Sequence, residues 1–174
     1  MNLSQLLAPQ AILLRNDAQD SSDVICRLGG LLHQQGCVTD GFIDATLKRE
    51  ASMPTGLPLG GEYNAAIPHV DLEYVRRPAI ALATLARPVI FRHIVMPEEE
   101  VPVQLVIMLA LDQPKSQIDA LQQVADLLQN PDAVAGLMAA LTPEEVLTLL
   151  AGLENVTQRL APDGSLTDSS QQPT

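Results

Sequence analysis

The chain has 174 residues and a formal charge of −11, from 21 Asp and Glu against 10 Lys and Arg. That length suits one compact domain with a sizeable core, and the acidic excess repels phosphate backbones and anionic lipid, which excludes nucleic acid as an expected partner. With 47% hydrophobic residues but two Phe, two Tyr and no Trp, the core must be built from Leu, Ile, Val and Ala, which suits layered helices and sheet.

In chain order, "AILL" at 11–14 reads as a short strand, and the polar loop "RNDAQDSS" then offers Asp and Ser residues to start a helix. Val24, Ile25, Leu28, Leu31 and Leu32 recur at helical spacing, and Gly36 stands where a left-handed C-terminal residue is wanted. A second helix is predicted over 39–50, with Thr39 or Asp40 as its cap and Phe42, Ile43 and Leu47 on one side. Between 51 and 111 the texture changes to short apolar runs broken by Pro and Gly, namely "GLPL", "AAIP", "AIALATLA", "PVIF" and "VPVQLVIMLAL". The almost unbroken run from Val103 to Leu111 predicts a central strand covered on both faces.

After Pro114 the period is helical again, through Ile118, Leu121, Val124, Leu127 and Leu128. A shorter helix is expected at 132–140. A last one opens on the "TPEE" of 142–145, which supplies a Thr cap, Pro at the first helical position and Glu three residues after the cap, and runs to about Gly152. The expected architecture is a three-layer α/β domain over 1–158, a single mixed sheet with helices on both faces. Residues 159–174 are read as a disordered polar tail that lacks the apolar surface to offset its ordering entropy.

Cys26 and Cys37 lack the spacing of a zinc or redox pair, and the N-terminus lacks the order of a secretory signal, so a reducing, cytoplasmic setting is expected. No run of about eighteen apolar residues spans a bilayer, so no direct membrane insertion is expected.

Three histidines are candidates for chemistry. His33, in the polar half of a helix, reads as a solvated side chain, and His93, near a predicted strand end, as an ordinary surface residue. His69 differs, because Pro68 cannot extend a ladder and fixes its own backbone angle, ending the strand and aiming the next side chain out from the sheet margin. A neutral imidazole so placed is a competent nucleophile.

The stretch "REASMPTGLPLGGEYNAAIPH" resembles the fructose and mannitol group of phosphotransferase-system enzyme IIA domains, in which a helix ends in Arg-Glu, a Pro-Thr turn follows and a strand ends in Ala-Ile-Pro-His. Here these are Arg49, Glu50, Pro54, Thr55, Ala66, Ile67, Pro68 and His69, and the similarity extends over about residues 5 to 153. "PTGLPL" and "PEEEVPVQLVI" look most like the galactitol branch. The resemblance implies a phosphotransferase without cofactor that takes a phosphoryl group from the phosphohistidine of the carrier HPr onto His69. It would pass that group to a cysteine of enzyme IIB, which serves a membrane enzyme IIC. An alternative of another class is a regulatory module, as in nitrogen-type IIA proteins, where phosphorylation of the same histidine controls binding to partner proteins.

A carrier site needs one exposed nucleophile and a few donors, because phosphoryl transfer rests on in-line positioning and charge stabilisation. Arg49 is the expected electrostatic partner of the phosphoryl group. Thr55 is a possible hydroxyl contact, Pro54 and Gly56 shape the turn, and Glu50, which repels phosphate, is given an orienting role. Asp71 reads either as a loop residue or as a holder of an imidazole nitrogen. Mannitol-type members carry a second active-site histidine after the central strand, and the aligned position here is Gln117, or Ser116 one residue earlier. An amide donates hydrogen bonds but carries no positive charge. Glu98, Glu99 and Glu100 read as a solvated turn, and no metal is expected, since only "HVD" at 69–71 comes near ligand spacing.

Overall fold

The computed structural model describes residues 2–160. Its elements are helix α1 (Leu3–Leu6), strand β1 (Leu7–Asn16), helices α2 (Ser21–Gln34) and α3 (Phe42–Ser52), and strands β2 (Gly56–Pro58) and β3 (Asn64–Ala66). A 3-10 turn (Leu72–Tyr74) leads to strands β4 (Ala79–Arg92) and β5 (Glu100–Ala110), then helices α4 (Pro114–Leu128), α5 (Pro131–Ala139) and α6 (Pro143–Leu160).

The five strands form one mixed sheet in the order β1-β4-β5-β3-β2. β1 runs parallel to β4, β4 antiparallel to β5, β3 parallel to β5, and β2 antiparallel to β3. β5 is thus the middle strand, as its sequence predicts. Every residue from Leu105 to Ala110 is buried, and since successive side chains point to opposite faces, both faces must be covered. The helices divide accordingly: α2 packs on α3 and on β1, β4 and β5, while α1, α4, α5 and α6 pack against one another and, through α1 and α6, onto β1.

Local chemistry explains most of the boundaries. Asp20 caps α2 by accepting the Asp23 N–H at 2.7 Å, the helix buries Val24, Ile25, Leu28 and Leu32, and Gly36 ends it at a φ of 72°. The Thr142 hydroxyl accepts the Glu145 N–H at 3.3 Å and the Glu145 carboxylate takes the Leu141 N–H at 2.7 Å, so the predicted start of α6 stands.

Four expectations need correction. "AIALATLA" and "PVIF" are one strand, β4, because a register shift between Thr84 and Val89 lets Pro88 sit without owing the ladder a donor. Neither Thr39 nor Asp40 caps α3; the cap position is Gly41, and the entry is held by backbone, with Phe42 N–H on Thr39 O at 3.1 Å and Thr39 N–H on Tyr74 O at 2.9 Å. The first strand begins at Leu7, after α1. α6 continues past Gly152 to Leu160, so residues 159 and 160, assigned to the polar tail, are helical; the rest of that segment lies outside the described residues.

Candidate functional site

β3 leads to the candidate histidine, His69, at the sheet margin. Its parallel pairing with β5 places Ala65 beside Leu105 and Ala66 beside Val106, and an isolated bridge continues that register to His69 and Leu109, with the Leu109 N–H donating to Pro68 O at 3.0 Å. Ile67, Pro68 and Val70 are buried while His69 itself is half-buried, so both chain neighbours anchor the backbone and the ring is left at the margin.

The ring's orientation is set by its own backbone. Nδ1 lies 2.8 Å from the Ile67 carbonyl oxygen. A carbonyl only accepts, so in this contact Nδ1 carries the hydrogen and Nε2 keeps a free lone pair. Burial pushes the His69 pKa below its ordinary value of 6.5, and the Arg49 charge acts in the same direction, against the Ile67 hydrogen bond and Asp71, which favour the cation. The imidazole is therefore neutral near pH 7.

Arg49 comes from the last turn of α3. Its Nη1 reaches Asp71 Oδ1 at 3.4 Å, a long contact to a side chain that is 72% exposed. Its Nε is buried and has no hydrogen-bond partner. A buried donor left unpaired is costly, about 1–3 kcal/mol, so the guanidinium stands ready for an acceptor. Asp71 does not hold the imidazole; the Ile67 carbonyl occupies Nδ1 instead.

Thr55 and Glu50 stand behind the histidine. Thr55 is 2% exposed. Its hydroxyl lies 3.1 and 2.9 Å from the two carboxylate oxygens of Glu50, which also accept its backbone N–H at 2.8 Å, and it accepts the Ile67 N–H at 3.2 Å. With its proton committed to Glu50, the hydroxyl has none to offer a phosphoryl oxygen, so the expected direct contact gives way to a place in the scaffold. Burial raises the Glu50 pKa, while the two Thr55 hydrogen bonds and Arg49 pull it down. Gln117 and Ser116 lie half-buried in the first turn of α4, which opens just beyond β5, and no hydrogen bond joins either to His69.

The remaining candidates are engaged elsewhere. His33 Nε2 meets Asp40 Oδ1 at 2.7 Å on the surface. His93 Nδ1 accepts the N–H groups of Val95 and Met96 at 3.0 and 3.2 Å, capping the turn after β4. Glu98, Glu99 and Glu100 are exposed around that turn, with Glu100 at 3.7 Å from Arg92. Among the described residues, no group of three or more His, Cys, Asp or Glu gathers as metal ligands would, and no helix is long and apolar enough to cross a membrane. Ile67 is legible only as a member of the Ala-Ile-Pro-His run; its contribution here is a main-chain carbonyl that no side-chain pattern announces.

Comparison with known proteins gives the family and the fold. The family described as "Phosphoenolpyruvate-dependent sugar phosphotransferase system, EIIA 2" matches residues 5–152. The galactitol-specific EIIA component of the phosphotransferase system of Escherichia coli K12 is 33% identical over 119 residues, 68% of this chain and 78% of that protein. A crystal structure assigned as a phosphotransferase-system IIA protein, PtxA from Streptococcus mutans, superposes with a TM-score of 0.74 at 26% identity, covering 89% of this chain and 96% of that one. The IIA mannitol domain of E. coli, determined in complex with phosphorylated IIB, shares the fold with a TM-score of 0.67 at 23% identity over 83% and 96% of the two chains. A match through nearly the whole domain, together with a relative one third identical, makes this chain a member of the EIIA 2 family of the phosphoenolpyruvate-dependent sugar phosphotransferase system.

Proposed function

We propose that His69 Nε2 is the atom that carries the phosphoryl group. EIIA components are phosphotransferases that accept phosphate from HPr and deliver it to IIB. The observation that supports the assignment is the ring's geometry: Nδ1–H is tied to Ile67 O at 2.8 Å, so the one free lone pair is on Nε2, in the electrostatic reach of an arginine whose Nε has no partner.

The chemistry follows from those contacts. The Nε2 lone pair attacks phosphorus in line with the donor's P–N bond; as the new P–N bond forms, the old one breaks and its electron pair stays on the donor's ring nitrogen. His69 keeps its Nδ1 hydrogen throughout. The phosphorylated ring is then formally cationic, and the Ile67 carbonyl stabilises that charge. Arg49 gives the phosphoryl oxygens fixed donors, the electrostatic help this reaction class needs most. Delivery to IIB is the same displacement run outwards.

Gln117 is the proposed donor on the α4 side, where an amide contributes a hydrogen bond without charge. The system served is proposed to be of galactitol type, on the 33% identity to the galactitol-specific component. A carrier of this kind touches proteins and not sugar, so faster transfer to a galactitol IIB than to a mannitol IIB is the measurement that decides this point.

The central test is incubation with phosphoenolpyruvate, enzyme I and HPr, followed by intact-mass analysis. One phosphoryl group should add about 80 Da per chain, labile in acid as nitrogen-linked phosphate is, and His69→Ala should add nothing. Label retained in that variant overturns the assignment.

A further inference from the structure

The hydrogen bonds behind His69 form a continuous path. Glu50 accepts both the N–H and the hydroxyl of Thr55, the Thr55 oxygen accepts the Ile67 N–H at 3.2 Å, and the Ile67 carbonyl accepts Nδ1–H of His69 at 2.8 Å. Ile67 lies one residue past the end of β3. Its N–H is therefore held by a side chain instead of a strand partner, and its carbonyl by the imidazole.

We propose that Glu50 and Thr55 are positioning residues for phosphoryl transfer: they clamp the Ile67 backbone so that its carbonyl stays aimed at Nδ1, which fixes the tautomer and direction of the nucleophilic ring. The inference rests on His69 Nε2 being the acceptor. What passes along the path is position and not polarisation, because the N–H and the carbonyl of Ile67 belong to different peptide units. The clamp suits the task on three counts. Thr55 is 2% exposed, so no solvent water stands by to replace its hydroxyl for the Ile67 N–H. Glu50 holds Thr55 at both ends, so the hydroxyl cannot rotate away without losing a charge-assisted bond. Arg49 and Glu50 are also consecutive in the last turn of α3, so one short segment supplies the phosphoryl-facing donor and the clamp for the ring.

A ring free to take the other tautomer places a proton on Nε2 and removes the lone pair that must attack. Thr55→Val keeps the shape and deletes the hydroxyl; Thr55→Ser keeps the hydroxyl. Glu50→Gln retains an oxygen acceptor for Thr55 and removes the charge. Each variant is checked for folding by thermal melting, then read by 15N NMR of the His69 ring and by the rate of label uptake from phosphorylated HPr.

In Thr55→Val the Nε2–H tautomer should become a substantial fraction and uptake should fall about tenfold or more, as expected when a nucleophile loses its fixed orientation. Thr55→Ser should restore both signals, and Glu50→Gln should move both in the same direction by less. A folded Thr55→Val with unchanged tautomer and rate overturns the clamp. So does a Thr55→Ser as defective as the valine variant, or a Glu50→Gln unchanged in both signals. His69→Ala run in the same assay separates the two ideas: label retained there refutes the acceptor, whereas label lost there with an unaltered Thr55→Val refutes only the clamp.

Discussion

Arg49→Ala gives the sharpest test of how the site stabilises transferred charge. In the wild-type chain the guanidinium has one long contact, 3.4 Å to the exposed Asp71, and a buried Nε with no partner. An exposed ion pair of that geometry contributes about 0.2–1 kcal/mol, so the melting temperature should barely move. A hydrogen bond from a charged donor to a phosphoryl oxygen is worth about 1.5–3 kcal/mol. At 1.36 kcal/mol per decade this predicts transfer slowed by about 10- to 150-fold. Arg49→Lys should fall between, because it keeps the charge and loses the planar fork. The assay is single-turnover transfer from phosphorylated HPr at saturating donor, so that weaker docking is not mistaken for slower chemistry. A second readout is internal to the site: the Arg49 charge helps hold the His69 pKa down, so its removal should raise that pKa in an NMR titration. A folded Arg49→Ala variant that transfers at the wild-type rate would refute the argument.

Other outcomes follow from the same contacts. The His69 pKa is depressed below 6.5, so the folded chain binds this proton only at lower pH than the unfolded chain does; transfer should be flat above pH 6.5 and decline below it, as the lone pair is lost, while the His69 contribution disfavours folding as pH falls below 6.5. A pH-rate profile breaking above 6.5 would contradict this. Gly56→Ala should destabilise by about 1–3 kcal/mol or more in denaturant melts, because the added carbon would meet the Arg92 carbonyl oxygen at 2.5 Å and press on the Ile94 N–H to Gly56 O bond of 2.9 Å. Thr142→Ala should cost about 1 kcal/mol of stability by removing the α6 cap, with no change in labelling at His69.

How far the sequence reads forward depends on where each signal resides. β5 was legible because burial on both faces leaves an unbroken apolar run, and α6 because its cap, proline and glutamate are local. Pro88 was misleading: proline marks a break in an isolated strand, but a bulge against β5 absorbs it and β4 carries on. The end of α6 was hidden for the opposite reason, since its last turns are largely exposed and are tied down by distant residues, as where Glu154 accepts the Ser4 N–H at 2.9 Å. At the site, His69 and Arg49 could be named because the roles proposed for them belong to side chains, which a sequence prints. Thr55 was given the wrong task because a hydroxyl in a turn does not reveal which way it points, and the Ile67 carbonyl was invisible because every residue has one.

The tethering of His69 from behind has a kinetic corollary. With Nδ1 bound to the Ile67 carbonyl and the backbone stitched to Leu109, the proposed acceptor offers one nitrogen, so on that assignment donor and recipient would take turns at one doorway. Surplus dephosphorylated HPr should therefore compete with IIB and retard delivery, making the spent donor a brake on its own pathway.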